Sequence, residues 1–248
     1  MTEKVELILQ HGWAFDAGIW APMLDQIQAE FGDNVDVHLL DRGYFGNPST
    51  NSVNTQGKTV IVICHSFGLH LLPKEILSRV DLLVILSGFM QFHSLRDSTH
   101  GSRSRKNMSR MISKLKEAPY TVLSDFHGRC GATKRLASGS WISDAIGYET
   151  NLPSINQDLL VEDLELLDVS NFAVDSISPS TEIVIVHGDK DPIVPFDRAE
   201  LIRAAFKGSR LILLKDAEHS IPITHVADCA EPVLEFLRRK LRSTASLA

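Results

Sequence analysis

A serine, an aspartate and a histidine occur in this chain in an order and in settings that could support acyl transfer. Ser66 lies in Cys64-His65-Ser66-Phe67-Gly68, directly behind the apolar run Thr59-Val60-Ile61-Val62-Ile63. A buried strand, a sharp turn and then a helix, predicted here over Phe67–Ser78, lift one hydroxyl clear of a sheet; that is the logic of the G-x-S-x-G elbow. The dipole of that helix would favour a developing oxyanion. Cys64 stands where the pattern has its first glycine, a crowded position that a small side chain can fill.

A serine nucleophile needs a base within reach, and the base needs an acid to hold its tautomer. The expected chain order is serine, acid, histidine. Asp191 follows the apolar run ending at Val186, in a loop punctuated by Gly188, Pro192 and Pro195. Asp189 is its rival, but the spacing to Val194-Pro195 favours Asp191. His219, in Asp216-Ala217-Glu218-His219-Ser220, follows the next apolar run and is the predicted base. His225 reads as a capping or packing histidine, and His65, His70 and His187 receive no role. Two backbone donors would complete an oxyanion hole: the N–H of Phe67 and that of Trp13, in His11-Gly12-Trp13 after the first run. Gly12 lets that backbone approach, and the Trp13 ring would wall an acyl pocket.

The elements that must position these residues alternate along the chain. Strands are predicted at Val5–Leu9, Val35–Leu40, Thr59–Ile63, Leu82–Leu86, Glu182–Val186 and Arg210–Leu214. Further helices are predicted at Trp20–Phe31, Arg198–Phe206 and Ala227–Leu241. Runs without polar alternation fit a mainly parallel sheet covered on both faces. The Gly-, Pro-, Asn- and Ser-rich stretch from Asp41 to Thr59 reads as loop. Residues 88–180 interrupt the rhythm, with amphipathic pieces at Met108–Leu115 and Leu159–Leu167. They read as an inserted lid over the carboxyl ends of the strands, where open α/β sheets bind ligands. The hydrolase core is then 1–87 and 181–248, and the class is α/β, with the α/β-hydrolase fold.

With 248 residues, 44% hydrophobic and 23% charged, the chain suits one large globular domain. No apolar run approaches the roughly 20 residues of a membrane span. The first strand begins almost at once, leaving no room for a signal peptide, and the three cysteines lack metal-ligand spacing. We therefore expect a cytoplasmic monomer with reduced thiols, no metal, no cofactor, and neither nucleic acid nor membrane as partner. The charge is uneven: residues 91–135 carry ten basic and three acidic side chains, in a chain of net charge −6. Such asymmetry suits an acidic partner, although any single basic residue can be merely a solvated helix face.

The segment His11-Gly12-Trp13-Ala14-Phe15-Asp16-Ala17-Gly18-Ile19-Trp20 resembles the oxyanion loop of the BioH-type pimeloyl-[acyl-carrier protein] methyl ester esterases. Asp41-Arg42-Gly43-Tyr44-Phe45-Gly46 is similar to a motif that follows in them, and Ser66, Asp191 and His219 occupy the triad positions in the family's order. The resemblance implies hydrolysis of the methyl ester at the far end of a dicarboxylate thioester-linked to acyl carrier protein, in biotin synthesis. By the family pattern Trp13, Phe67 and His219 border the substrate, and Phe126-His127-Gly128-Arg129-Cys130 lines the acyl channel. Acyl carrier protein is acidic, so Arg103, Arg105, Lys106 and Arg110 are the expected docking residues. Two other readings stay open: a general carboxylesterase or thioesterase on small esters or acyl-CoA, and a hydrolase-fold binding protein with a vestigial triad.

Overall fold

The computed structural model describes residues 5–49, 53–93, 98–132 and 155–245. The six apolar runs become β1 (Val5–Gln10), β2 (Val35–Leu40), β3 (Thr59–His65), β4 (Leu82–Leu86), β5 (Glu182–Gly188) and β6 (Arg210–Leu214). All neighbours pair in parallel, in the order β2-β1-β3-β4-β5-β6. The helices described are α1 (Ala21–Phe31), α2 (Gly68–Leu71), α3 (Lys74–Leu77), α4 (Ser98–Glu117), α5 (Pro119–Arg129), α6 (Gln157–Val169), α7 (Asp197–Ala205), α8 (Ile221–Thr224) and α9 (Val226–Ala245).

Strand side chains alternate between two apolar clusters, as a pleated backbone requires. Leu7, Leu9, Ile61, Ile63, Val84 and Val186 join the cluster of α1 and α9. Ile8, Val60, Val62, Leu83 and Ile185 join that of α2, α3 and α7. With both faces covered, β3, β4 and β5 are buried almost throughout and read as continuous apolar runs, whereas the edge strands β2 and β6 are only partly buried and β2 carries Asp36 and His38. The chain leaves β1 for the edge strand β2 and returns to β3 on the other side. This reversal opens a crevice beyond the carboxyl ends of β1 and β3, where α/β sheets bind ligands.

The helix predicted over Phe67–Ser78 is broken. Pro73 disfavours a helical conformation at the residue before it, and Leu72 is extended (φ −71°, ψ 133°). The elbow is thus followed by a single helical turn, α2, whose dipole falls short of the one expected from a long helix. In the loop after β2, no helix occurs among the described residues, and Asp41 bridges to Ser49.

The segment between β4 and β5 contributes α4, α5 and α6, and its apolar residues Met108, Leu123 and Leu164 extend the cluster of α1 and α9. Polar ties fasten it to the strand ends. Asp163 of α6, fully buried, accepts two bonds from the Arg42 guanidinium at 2.8 Å and one from the Tyr44 hydroxyl at 2.5 Å. Trp13 Nε1 donates to the Leu160 carbonyl at 2.9 Å, and His127 of α5 meets the Ala14 carbonyl at 2.6 Å. Among the described residues, no helix is long and apolar enough to cross a membrane, and no group of metal-ligating side chains is assembled.

Candidate active site

Immediately after β3 the backbone turns left-handed at Ser66, φ 54°. A non-glycine residue holds that conformation only at a cost of about 1–2 kcal/mol, so the surroundings must impose it. The Ser66 N–H donates to the Leu86 carbonyl at 2.9 Å, fixing the elbow to β4. Two glycines allow the close approach. A Cβ on Gly68 would lie 2.5 Å from the Gln10 carbonyl oxygen and 2.7 Å from that of His11; one on Gly12 would lie 2.8 Å from Ser66 Cβ. Cys64 belongs to β3 rather than to the turn, so the chain asks no left-handed conformation of it. Its buried thiol lies 3.7 Å from the Val84 carbonyl oxygen.

The rigidity of this junction is testable. Gly68→Ala should lose about 2–3 kcal/mol by overpacking against backbone that cannot retreat, lowering the melting temperature by roughly 5–10 °C. Gly46→Ala, where an added Cβ meets nothing within 4 Å, is the control and should melt like the parent.

Beyond β5, Asp191 Oδ1 accepts the N–H groups of Ile193 and Val194, both at 2.8 Å. Its Oδ2 accepts from His219 Nδ1 at 2.7 Å. The rival Asp189 is exposed. Burial alone would raise the Asp191 carboxyl, but the charge and hydrogen bond of His219, with the Val194 N–H, outweigh it and hold it below the usual range. An ionised Asp191 keeps the proton of His219 on Nδ1, leaving the lone pair on Nε2. That Nε2 is buried and has no hydrogen-bond partner among the described residues.

His65, given no role by sequence, packs against His219: its ring lies 4.8 Å from that of His219 and its Nε2 is 3.1 Å from the His219 carbonyl oxygen. Burial, then the neighbouring His219, push the His65 imidazole well below its usual range, so it is neutral and donates from Nε2. Its place next to Ser66 was the available signal. His225, by contrast, is the C-cap of α8, its N–H donating to the Ile221 carbonyl at 2.9 Å, and its Nδ1 meets the Thr224 hydroxyl.

Ser66 opens into a cavity of about 590 Å³ whose wall includes Trp13, Phe92, Met111 and Phe126. Among the described residues, neither the Trp13 nor the Phe67 N–H takes part in the hydrogen bonding of turns and loops. The Trp13 ring packs edge-to-face on Phe126 at 4.9 Å and walls the cavity. The Phe67 side chain does not reach it: it is fully buried, stacked on His70 at 5.4 Å. The channel segment also divides. Phe126 and Arg129 line the cavity, whereas His127 turns inward onto Ala14, Cys130 is buried, and Gly128 has no side chain to present. Successive helical residues point about 100° apart, so five consecutive positions cannot share one wall.

The same geometry splits the basic cluster. Arg103 and Arg110, with Asn107 and Lys114, form one stripe of α4 along the cavity. Arg105 turns to α6, donating to the Asp168 carbonyl at 2.9 Å; Lys106 lies on the exposed side. Arg96, Lys134 and Arg135 lie outside the described residues.

The fold, with a serine elbow after β3, an acid after β5 and a histidine after β6, is that of an α/β-hydrolase. In sequence, the chain is 22% identical to the pimeloyl-[acyl-carrier protein] methyl ester esterase of Yersinia pseudotuberculosis, over 93% of this chain and 92% of that one. In structure it is similar to an esterase from Exiguobacterium antarcticum (TM-score 0.73, 15% identity, 96% and 93% of the two chains). It is also similar to a hydrolase from Oleispira antarctica (TM-score 0.69, 17% identity, 95% and 91%). No protein-family model matches the chain.

Proposed function

We propose that the protein is a serine carboxylic ester hydrolase with Ser66 as nucleophile, His219 as general base and Asp191 as its orienting acid. The observation that carries this reading is the Asp191–His219 bond at 2.7 Å, which leaves His219 Nε2 without a hydrogen-bond partner among the described residues. His219 takes the Ser66 proton as Oγ attacks the ester carbonyl, and the Trp13 and Phe67 N–H groups receive the oxyanion. The C–O bond to the alcohol breaks, and the alcohol leaves with the proton held on His219. Water, deprotonated by the same imidazole, then cleaves the acyl-enzyme and frees Ser66.

For the substrate we propose the methyl ester of pimeloyl-acyl carrier protein, the compound named for the Yersinia relative. The basic stripe of α4 supports this finer reading, because a carrier of opposite charge would be steered to the mouth of the cavity. Reversing Arg103 and Arg110 to glutamate should raise KM for the carrier-bound ester by about tenfold, the scale of one or two lost charge contacts, with 4-nitrophenyl acetate turned over as before. Equal effects on both esters would instead favour a general esterase.

A further inference from the structure

The cavity that holds Ser66 also holds a cation the proposed chemistry does not use. Arg198, in the first turn of α7, has a side chain 6% exposed, yet its one ion-pair partner among the described residues is the neighbouring Asp197, at 3.4 Å and half in solvent. Its Nε is buried and has no hydrogen-bond partner among the described residues. A guanidinium carries five donors and cannot shed its charge. Burying one with so little compensation is costly unless something else completes the site.

Among the described residues, no carboxylate on the cavity wall does so. Arg103, Arg110, Lys114 and Arg129 line it beside Arg198, and the one carboxylate among the lining residues, Asp125, is 3.3 Å from Lys114. Asp168, next in α6 to the lining residue Leu167, has its carboxylate already engaged by His93 at 2.8 Å and by Arg105 at 3.5 Å. The wall therefore carries Arg198 as well as the basic stripe of α4, with a single carboxylate among its lining residues.

We infer that Arg198 is an anion-recognition residue of the substrate cavity, and that the preferred esters carry a carboxylate or phosphate on a part of the molecule distinct from the scissile ester. This rests on ester hydrolysis at Ser66. A planar fork of donors suits either oxyanion, and the two differ in source: a carboxylate would end the acyl chain, whereas a phosphate would belong to a pantetheine-type arm.

The test compares the 4-nitrophenyl monoester of adipic acid, which has a free carboxylate, with neutral 4-nitrophenyl hexanoate. A parallel arm measures inhibition of hexanoate hydrolysis by pantetheine 4′-phosphate and by pantetheine. In Arg198→Gln, one anionic probe should lose about 10- to 100-fold, as expected for hydrogen bonds to a charged group, while its neutral counterpart stays within about twofold. Arg198→Lys should recover part of the loss. The carboxylate arm responding assigns the acyl end; the phosphate arm responding assigns the carrier arm. Equal losses on anionic and neutral probes, or no discrimination by the parent protein, would overturn the inference while leaving the esterase intact. Should the parent hydrolyse neither ester, the esterase reading fails by itself. Calorimetric binding of the same four probes to Ser66→Ala and to Ser66→Ala/Arg198→Gln then decides the role of Arg198, which is overturned if the two proteins bind the anions equally.

Discussion

Ser66→Ala is expected to lower kcat for 4-nitrophenyl acetate by about four to six orders of magnitude, because removing a nucleophile leaves only binding and the oxyanion donors to act on the substrate. KM should change little, since the cavity wall is formed by other residues. A fluorophosphonate probe should label the parent protein at Ser66 and leave the variant unlabelled. The fold should survive: Ser66 at φ 54° is held by its N–H bond to Leu86, not by its hydroxyl. Ser66→Gly should melt slightly above the parent, because glycine adopts this backbone without strain. Undiminished hydrolysis in Ser66→Ala would remove the mechanism. An unlabelled parent would favour a binding protein with a vestigial site.

The second large effect is on stability in acid. Burial pushes the His127 imidazole down to about 4, against a bond to the Ala14 carbonyl that acts the other way. His70 is likewise held down to about 4 by burial, although the bond to the Phe89 carbonyl opposes it. In the unfolded chain both titrate near their ordinary value of about 6.5. Between these limits the unfolded state binds more protons, so stability is fully present above pH 6.5 and falls as the pH drops towards 4. For His127 the loss is of the order of 3 kcal/mol by pH 4; the less buried His70 contributes less. His65 and His187, also lowered chiefly by burial, act in the same direction. Asp41, held at about 2 because the bond to His11 and backbone N–H groups outweigh its burial, adds a separate loss below pH 4.

Urea midpoints measured at pH 7, 5.5 and 4.5 should therefore fall steeply, and His127→Gln should flatten the curve. A midpoint flat from pH 7 to 4.5 would contradict this account. His127 joins α5 to the loop that carries Trp13, so the same acid range should loosen the inserted segment before the sheet.

The sheet was legible because the inner strands, buried on both faces, have no reason to alternate, while the partly buried edge strands β2 and β6 still carry enough Val and Leu to read as runs; all six strands fall where those runs lie. The helices were less so. Pro73 marks the break after Leu72, where the helix predicted over Phe67–Ser78 runs straight through. On α4 the basic residues were visible as a block, while their division into a cavity stripe and an outer face needed the helical period. Arg198 left a fainter mark: it sits four residues before Ile202, a charge on the apolar stripe of α7. That is the pattern of either a neighbour-paired arginine or a ligand-binding one, and only burial separates the two.

By itself, the sequence determined the chemistry on offer and its order: a serine after one strand, an acid after a later one, a histidine after the last. Those choices are local, since turn residues and apolar runs act over a few positions. Only the tertiary structure decided which acid meets His219, which of the channel residues face the cavity, and that a buried guanidinium stands in the same space as Ser66. Each of these depends on groups tens to more than a hundred residues apart, whose distances are set by how strands and helices pack rather than by any residue's neighbours in the chain.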